Sequence, residues 1–240
     1  MNLRPKGLIL DLLSTLGGRS MPVRALVDAA ALFAIEENSL RVALTRLLVA
    51  GTVERDERGE YRLGKRAHAV QQQVVSWRRI EERIRPWQGG WTGLSTAGSA
   101  RAARSELRRR ERALRFFGFR ELAPGLEVRP DNLAMSLGGL YRELVSLGLP
   151  EGFPLFAMAE LDSATDGRAR GLWDVRKLVA DYRRSVAELA ASEARLPALS
   201  ARAAMAESFL LGGRVIRQLV LDPLLPEPIV ETAERRALQS

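Results

Sequence analysis

The sequence predicts an α+β protein built from several domains. Three observations support this prediction: helical periodicity that ends in a short hairpin near the start, alternating strands and helices in the middle, and helical periodicity after Gly171. With 240 residues, 46% of them hydrophobic, the chain is long enough for several packed cores. We therefore predict four consecutive segments, which span residues 1–64, 65–86, 87–165 and 166–240.

The first segment begins with two amphipathic helices. Apolar residues recur at helical spacing up to Gly17 and Gly18, and these residues are Leu8, Ile9, Leu12, Leu13 and Leu16. The second helix is predicted from Pro22 to Phe33, and its inward residues are Leu26, Ala29, Ala30 and Phe33. The two helices share an apolar side on which a third helix can pack.

A third helix follows with the same kind of stripe, formed by Leu40, Ala43, Leu44, Leu47 and Leu48. Asn38 or Ser39 is expected to cap its start, and Gly51 to supply the left-handed residue that ends it. This spacing leaves Arg41, Thr45 and Arg46 on the outward side. Two guanidinium groups and a hydroxyl one turn apart suit base edges and phosphates in a DNA major groove.

A β-hairpin is predicted next, with strands at Thr52–Arg55 and Glu60–Leu63 around the turn Asp56–Gly59. Three helices and a hairpin in this order are typical of a winged helix-turn-helix. The predicted DNA-binding residues are Ser39, Arg41, Thr45, Arg46, Arg55 and Arg58. The same arrangement of elements also occurs in protein-interaction modules, which is the alternative at this stage.

Residues 65–86 carry a stripe that predicts a linker helix: Ala67, Val70, Val74, Trp77, Ile80 and Ile84. The helix is expected to end at Pro86, ahead of Gly89 and Gly90. Its apolar side suits a core contact or a dimer contact.

The middle segment has a βαββαβ order, which predicts a ferredoxin-like domain. Strands are predicted at Trp91–Ser95, Phe119–Leu122, Leu126–Arg129 and Phe153–Leu161. One predicted helix is capped by Ser99 and reaches Phe117, and the other is capped by Asp131 and reaches Leu147. The inward residues of the first helix are expected to be Ala103, Leu107, Leu114 and Phe117.

That first helix exposes a row of arginines: Arg101, Arg104, Arg108, Arg109, Arg112 and Arg115. Such a row suits DNA phosphates or the phosphates of a nucleotide-like effector, and it is equally compatible with a solvated surface. The last segment contains three helical stripes, at 172–189, 199–211 and 215–220. A helical domain of this kind can form a dimer, close a ligand pocket, or do both.

Composition excludes several classes of function. The chain has no cysteine, so it forms no disulfide, no thiol nucleophile and no Cys-ligated zinc site. The single histidine, His68, lies in a polar stretch and is expected to be exposed, without partners for a triad. No apolar run has the length of a membrane span and no signal peptide is recognisable, so we expect a soluble cytoplasmic protein.

The net charge of +8 favours a polyanionic partner, but the charge is unevenly distributed. Residues 1–64 carry nine basic and eight acidic side chains, whereas residues 65–130 carry fifteen and six. Residues 131–240 are slightly acidic, with thirteen and fifteen. The predicted winged helix is therefore nearly neutral, and phosphate attraction must come from dimerisation, from the middle of the chain, or from both.

Several short motifs occur in the order found in repressors of the phenylacetate-degradation (PaaX) type. They are Arg4–Leu10, Leu40–Leu48, Trp87–Trp91, Phe117–Phe119 with Ala123–Gly125, Leu172–Asp174 and Leu221–Pro226. The chain resembles that family over nearly its whole length. The resemblance implies a bacterial homodimer whose winged helix binds a palindromic operator, a central domain like small CRISPR-associated ferredoxin-fold nucleases, and a helical C-terminal domain.

In the namesake of the family, phenylacetyl-CoA releases the repressor from DNA, so the resemblance implies an acyl-CoA or aryl-CoA effector and no resident cofactor. This chain departs from the family at Gly93–Gly98, where an acidic residue and a proline are missing. No metal-binding carboxylate stands there, so we expect no nuclease activity and no metal. The alternatives are a nucleic-acid-processing enzyme and an effector-free DNA-binding protein, and the effector pocket stays unassigned.

Overall fold

The computed structural model describes residues 3–64, 67, 81–97 and 103–239 of a mixed α/β protein. The described residues form two compact units. The first contains the described part of Met1–Trp77 together with Ala191–Arg217, and the second contains the described part of Arg78–Ala190 together with the described part of Gln218–Ser240. Each unit thus joins distant parts of the sequence, whereas the predicted division into consecutive segments stays a prediction.

The first unit contains the predicted helices and hairpin near the start of the chain. Their bounds are α1 (Pro5–Thr15), α2 (Val23–Ala31), α3 (Glu37–Val49), β1 (Val53–Arg55) and β2 (Tyr61–Leu63). Among the leucines expected to face inward, Leu8, Leu26 and Leu40 are fully covered and Leu44 is 3% exposed, whereas Leu12, Leu16 and Leu48 are partly buried. In the hairpin, Val53 pairs with Leu63, and both residues are buried.

The start of α3 differs from the prediction. The residue before its first turn is Glu36, and no side chain caps the helix, so Asn38 and Ser39 lie inside it rather than at its end. The helix is held in place by its buried leucines, and this tertiary packing outweighs the preference of Asn and Ser for caps. Its predicted end is correct, because Gly51 has a φ of 63° just beyond the last turn.

Two long helices follow later in the chain, α7 (Val175–Arg195) and α8 (Ala201–Val220). The stripes at 199–211 and 215–220 were predicted as two helices, but they belong to the single helix α8. Gly212 and Gly213 do not break it, since each glycine costs only about 1 kcal/mol against the packing of a long helix.

The part of α8 that belongs to the first unit packs on the N-terminal helices. The rings of Phe33 and Phe209 lie 5.4 Å apart, and Arg202 donates to the carbonyl oxygen of Ala31 at 2.7 Å. Arg217 pairs with Asp11 at 3.4 Å. The helices beside α3 are thus supported by a segment some 170 residues later in the chain.

The second unit is built on a four-stranded antiparallel sheet with the predicted order of strands and helices. Its elements are β3 (Trp91–Ser95), α4 (Arg104–Phe116), β4 (Arg120–Ala123), β5 (Leu126–Pro130), α5 (Leu137–Ser146) and β6 (Leu155–Met158). The order across the sheet is β4-β5-β3-β6, so β3 and β5 are central. The first four residues of β3 are buried, which shows that this strand is covered on both faces.

The predicted cap of α5 is wrong, and α4 begins later than predicted. Helix α4 begins at Arg104 after an exposed Ala103, so Ala103 is not an inward residue, and Ser99 lies outside the described residues. Helix α5 is capped by Ser136, which accepts from the backbone of Gly139 at 3.1 Å. Asp131 instead binds the guanidinium group of Arg85 at 2.8 Å, a partner 46 residues away that local sequence does not reveal.

Aromatic residues from distant segments form the core of the second unit. Trp91 of β3 stacks on Trp173 with ring centroids 6.2 Å apart, and the indole of Trp91 donates to Asp166 at 3.0 Å. Two short helices, α6 (Ser163–Arg170) and α9 (Ala233–Gln239), complete this unit, and neither was predicted. Their lengths of eight and seven residues are too short for a clear periodic signal.

Most of the predicted linker helix, and His68 with it, lies outside the described residues. Its last part is not α-helical: residues Glu81–Arg83 form a 3-10 turn, and Ile84 makes an isolated antiparallel bridge to Leu133. Among the described residues, no helix is both long and apolar enough to span a bilayer.

Candidate nucleic-acid interface

The outer face of α3 is the side of the helix opposite its buried leucines. Leu40, Leu44 and Leu47 are at most 3% exposed and hold the inner side. The outer face consists of Asn38, Ser39, Arg41, Val42, Thr45, Arg46 and Val49, all of which are exposed. The four predicted residues of this helix, Ser39, Arg41, Thr45 and Arg46, therefore lie on one accessible surface about 10 Å wide.

Arg41 and Thr45 already have partners within the helix. The guanidinium group of Arg41 binds the carboxylate of Glu37 at 2.7 Å, and both side chains are 54% exposed. The hydroxyl of Thr45 donates to the backbone oxygen of Arg41 at 3.0 Å. An exposed i,i+4 pair contributes about 0.3–0.5 kcal/mol, which a phosphate or a base edge can readily replace.

Arg46 differs from Arg41 in its surroundings. No side chain in the described part of the protein pairs with its guanidinium group, although it lies on the same outer face. Because its side chain is exposed and has no ion pair with any described residue, Arg46 can bind guanine or a phosphate without first breaking such a pair.

The hairpin presents its arginines in a different way. Arg55 donates to the backbone oxygen of Gly59 at 3.0 Å and lies 5.8 Å from the ring centroid of Tyr61. Its guanidinium group therefore stiffens the turn. Arg58 lies at the exposed tip with no side-chain partner among the described residues, so it is the better placed of the two to reach a phosphate.

The turn itself is held by Asp56. Its carboxylate accepts from the backbone N–H groups of Arg58 and Glu60 at 3.0 and 2.9 Å. A hydrogen bond from the Ser20 side chain, followed by those backbone donors, lowers the pKa of Asp56 below its usual value of 3.8. The charged form of the carboxylate is thus the one that fits the turn.

The sequence analysis missed two apolar residues of the outer face of α3. Val42 is 44% exposed and Val49 is 86% exposed, although both are aliphatic. They lie seven residues apart, on one side of the helix and outside its leucine stripe, so a helical projection of the sequence would have found them. Exposed methyl groups beside arginines suit the C5-methyl of thymine in a major groove.

In the second unit, Arg104, Arg108, Arg109, Arg112 and Arg115 of α4 are exposed as predicted, and Arg101 lies outside the described residues. An open cavity of about 540 Å³ lies beside α7 in this unit. Val175, Val179, Ile229 and Val230 form its apolar wall, and Arg176, Arg183, Glu227 and Glu231 line it with charge.

The comparison with solved structures found a relative of unassigned role. The chain is similar to the uncharacterized protein Rv0674 from Mycobacterium tuberculosis, with 26% sequence identity and a TM-score of 0.61. The similarity covers 98% of this chain and 92% of the other. No protein-family model and no curated protein matches the sequence. The two proteins thus share an architecture from end to end.

Proposed function

We propose that this protein is a bacterial DNA-binding transcriptional regulator of the PaaX type, most simply a repressor. The observation that carries the proposal is the outer face of α3, where Arg46 has no ion pair with any described residue and Thr45 and Val42 lie beside it. Donors and methyl groups on one helix side, above a fully buried leucine stripe, are what direct readout in a major groove requires.

The hairpin after α3 takes the role of the wing in this proposal. Its length of three residues per strand suits a short element that follows the sugar–phosphate backbone. Arg58 at its tip is the residue we assign to a phosphate, and Arg55 acts through the conformation of the turn because it binds Gly59. The N-terminal segment would thereby be a winged helix-turn-helix.

The rest of the chain is assigned to dimerisation and ligand response. The strand order β4-β5-β3-β6, with α4 and α5 as the intervening helices, supports a ferredoxin-like central domain followed by a helical C-terminal domain. A palindromic operator requires a two-fold symmetric reader, so we propose a homodimer. The PaaX resemblance supports release by a CoA thioester.

The cavity beside α7 supports the ligand response. Its apolar wall at Val175, Val179 and Ile229 suits an acyl or aryl group, and Arg176 at its rim suits a phosphate. A thioester that prefers the dimer unable to bind DNA would shift the population away from the operator.

The central test uses Arg46→Ala and a duplex that the wild-type protein selects from a random library. We expect 5- to 150-fold weaker binding of the selected duplex, because a lost bidentate contact costs about 1–3 kcal/mol. Binding of an unselected duplex should change far less. Fluorescence anisotropy at one fixed salt concentration measures both.

Arg184→Ala is the matched control, since it removes an exposed arginine from α7 of the other compact unit. It should leave the preference for the selected duplex unchanged. The proposal fails if selection enriches no sequence, or if Arg46→Ala and Arg184→Ala reduce that preference equally. A panel of acyl-CoA and aryl-CoA thioesters tests the effector separately, through release of the selected duplex.

A further inference from the structure

The most concentrated positive charge among the described residues lies on α4. This helix of 13 residues contains six arginines and two glutamates. We call Arg104, Arg108, Arg112 and Arg115 the arginine face of α4. At 100° per residue these four positions lie within about 80° of arc, so they form a single row along the helix.

The arginine face points away from the core. Ala113 and Leu114, which hold α4 on the sheet, are 0% and 3% exposed. They project from the opposite side of the helix, and all four members of the arginine face are exposed. Neither packing nor burial therefore accounts for the choice of arginine at these positions.

Glu111 lies beside this face, but no ion pair among the described residues neutralises its arginines. No carboxylate of the described residues pairs with any of its four guanidinium groups, and Arg108 makes only a long hydrogen bond of 3.4 Å to the backbone of Arg104. Burial, together with the charge of Arg115, lowers the pKa of nearby Arg120 below its usual value. By contrast, Arg41, Arg170 and Lys177 each pair with a carboxylate one turn away.

The shape of the face selects a polymer over a small ligand. Its row extends over twelve residues, about 17 Å, along the exposed side of the helix. The arginines at 104, 108 and 112 follow one another at intervals of about 6 Å, a spacing that suits successive backbone phosphates. A membrane surface fits less well, because a helix that lies in a bilayer interface needs an exposed apolar side, and the apolar side of α4 is buried.

We propose that the arginine face of α4 binds the phosphate backbone of duplex DNA without regard to sequence. The inference rests on the proposed function and extends it to a second contact. It accounts for the near neutrality of residues 1–64, where nine basic side chains face eight acidic ones. A DNA-binding segment with almost no net charge needs phosphate contacts elsewhere in the protein, since such contacts supply most non-specific affinity for DNA.

The experiment measures how binding of a random-sequence duplex depends on salt. The full chain is compared with Arg108→Gln/Arg112→Gln/Arg115→Gln, and log K is plotted against log of the KCl concentration. Each lost phosphate contact reduces the slope by about 0.9, so the slope should become shallower by about 2 to 3. The single variant Arg112→Gln should change it by about 1 and keeps the test valid if the triple variant does not fold.

The matched control is Arg168→Gln/Lys177→Gln/Arg184→Gln, which removes three exposed cations from α6 and α7 of the same unit. Its slope should change by less than about 1. Equal slopes for the two triple variants would show that only net charge matters and would overturn the proposal. The proposal would also be overturned if the arginine-face variant lost binding only to single-stranded RNA or only to vesicles rich in phosphatidylglycerol.

The two proposals fail in different ways. If the wild-type protein prefers its selected duplex and the arginine-face variant keeps the wild-type slope, only this inference is wrong. If the wild-type protein binds no duplex at all, both are wrong. If Arg46→Ala has no effect but the arginine-face variant flattens the slope, the second contact stands and sequence reading by α3 does not.

Discussion

Helices α3 and α4 have the same length of 13 residues and both expose arginines, yet their charges behave differently. On α3 the guanidinium group of Arg41 is bound by Glu37 one turn earlier, so part of the positive charge is cancelled within the helix. On α4 the four arginines of the arginine face have no carboxylate partner among the described residues. The number of arginines on a surface is thus a poor guide to its field, and their neighbours decide it.

This difference suggests that the exposed sides of α3 and α4 serve two purposes, recognition of a DNA sequence and attraction of a polyanion. A reading surface benefits from few, well-spaced donors and from apolar groups such as Val42, because excess charge would strengthen binding to every sequence equally. An attracting surface benefits from uncompensated charge and needs no apolar contact. The exposed side chains of α3 fit the first requirement, and those of α4 fit the second.

The largest effect is expected beneath the outer face of α3. Leu44 is 3% exposed on the inner side of α3, so Leu44→Ala should lower the free energy of unfolding by about 2–5 kcal/mol. Val42→Ala on the outer side is the control and should change it by less than about 1 kcal/mol, because Val42 is 44% exposed. Urea denaturation followed by circular dichroism measures both. Equal losses would mean that the two sides of α3 are not distinct.

A smaller effect is expected from making α3 resemble α4. Glu37→Gln releases Arg41 from its ion pair and adds one positive charge to the outer face. Binding of a random-sequence duplex should tighten by about two- to five-fold, which corresponds to roughly 0.5–1 kcal/mol for one partly screened charge. The preference for a selected duplex should fall.

Glu57→Gln, an exposed change of the same charge in the hairpin turn, is the control for that measurement. If both variants tighten random-sequence binding equally, the ion pair of Arg41 does not restrain α3. An unchanged affinity in Glu37→Gln would contradict the idea that charge compensation distinguishes the two helices.

The smallest effect concerns the turn after α3 and depends on pH. Hydrogen bonds from Ser20 and from two backbone N–H groups lower the pKa of Asp56 in the folded protein. A carboxyl group with a lowered folded pKa stabilises the protein above its unfolded value of about 3.9, and this contribution is lost as pH falls through the lower folded value. Asp56→Ala should therefore lower the urea midpoint at pH 7, and its difference from wild type should shrink below about pH 4.

Glu57→Ala, the adjacent exposed residue, serves as the reference for the pH series. The urea midpoint of Glu57→Ala should differ little from that of wild type, and this difference should not follow the titration of Asp56. A difference between Asp56→Ala and wild type that stays constant from pH 7 to pH 3 would show that the side chain acts through its shape and not through its charge.

Periodicity predicted most elements correctly but misplaced their ends. The leucines of α3 signal one buried side, and this helix lies where that signal puts it. The caps failed because a cap is one side chain with competing partners: Asp131 binds Arg85 instead of starting α5, and no local pattern encodes that choice. The sequence predicted two helices where the structure has the single helix α8, because helix propensity alone disfavours a helix at Gly212.

The sequence also predicted which residues of α3 form the candidate interface, but not their partners. Arg41, Thr45 and Arg46 follow from the position of the leucine stripe, since residues off that stripe must face outward. The pairing of Arg41 with Glu37, and the absence of a partner for Arg46 among the described residues, required coordinates. Side-chain partners depend on rotamers and on neighbouring elements, which spacing does not specify.

The sequence by itself determined the order of helices and strands, the inner and outer sides of α3 and α4, and the concentration of arginine in the middle of the chain. These properties are local, because periodicity and composition are read within one element. Only the tertiary structure decided that residues Ala191–Arg217 support the N-terminal helices, and that the core of the second unit stacks Trp91 on Trp173. Such contacts join residues far apart in the chain, and their energies depend on shape complementarity that no single segment carries.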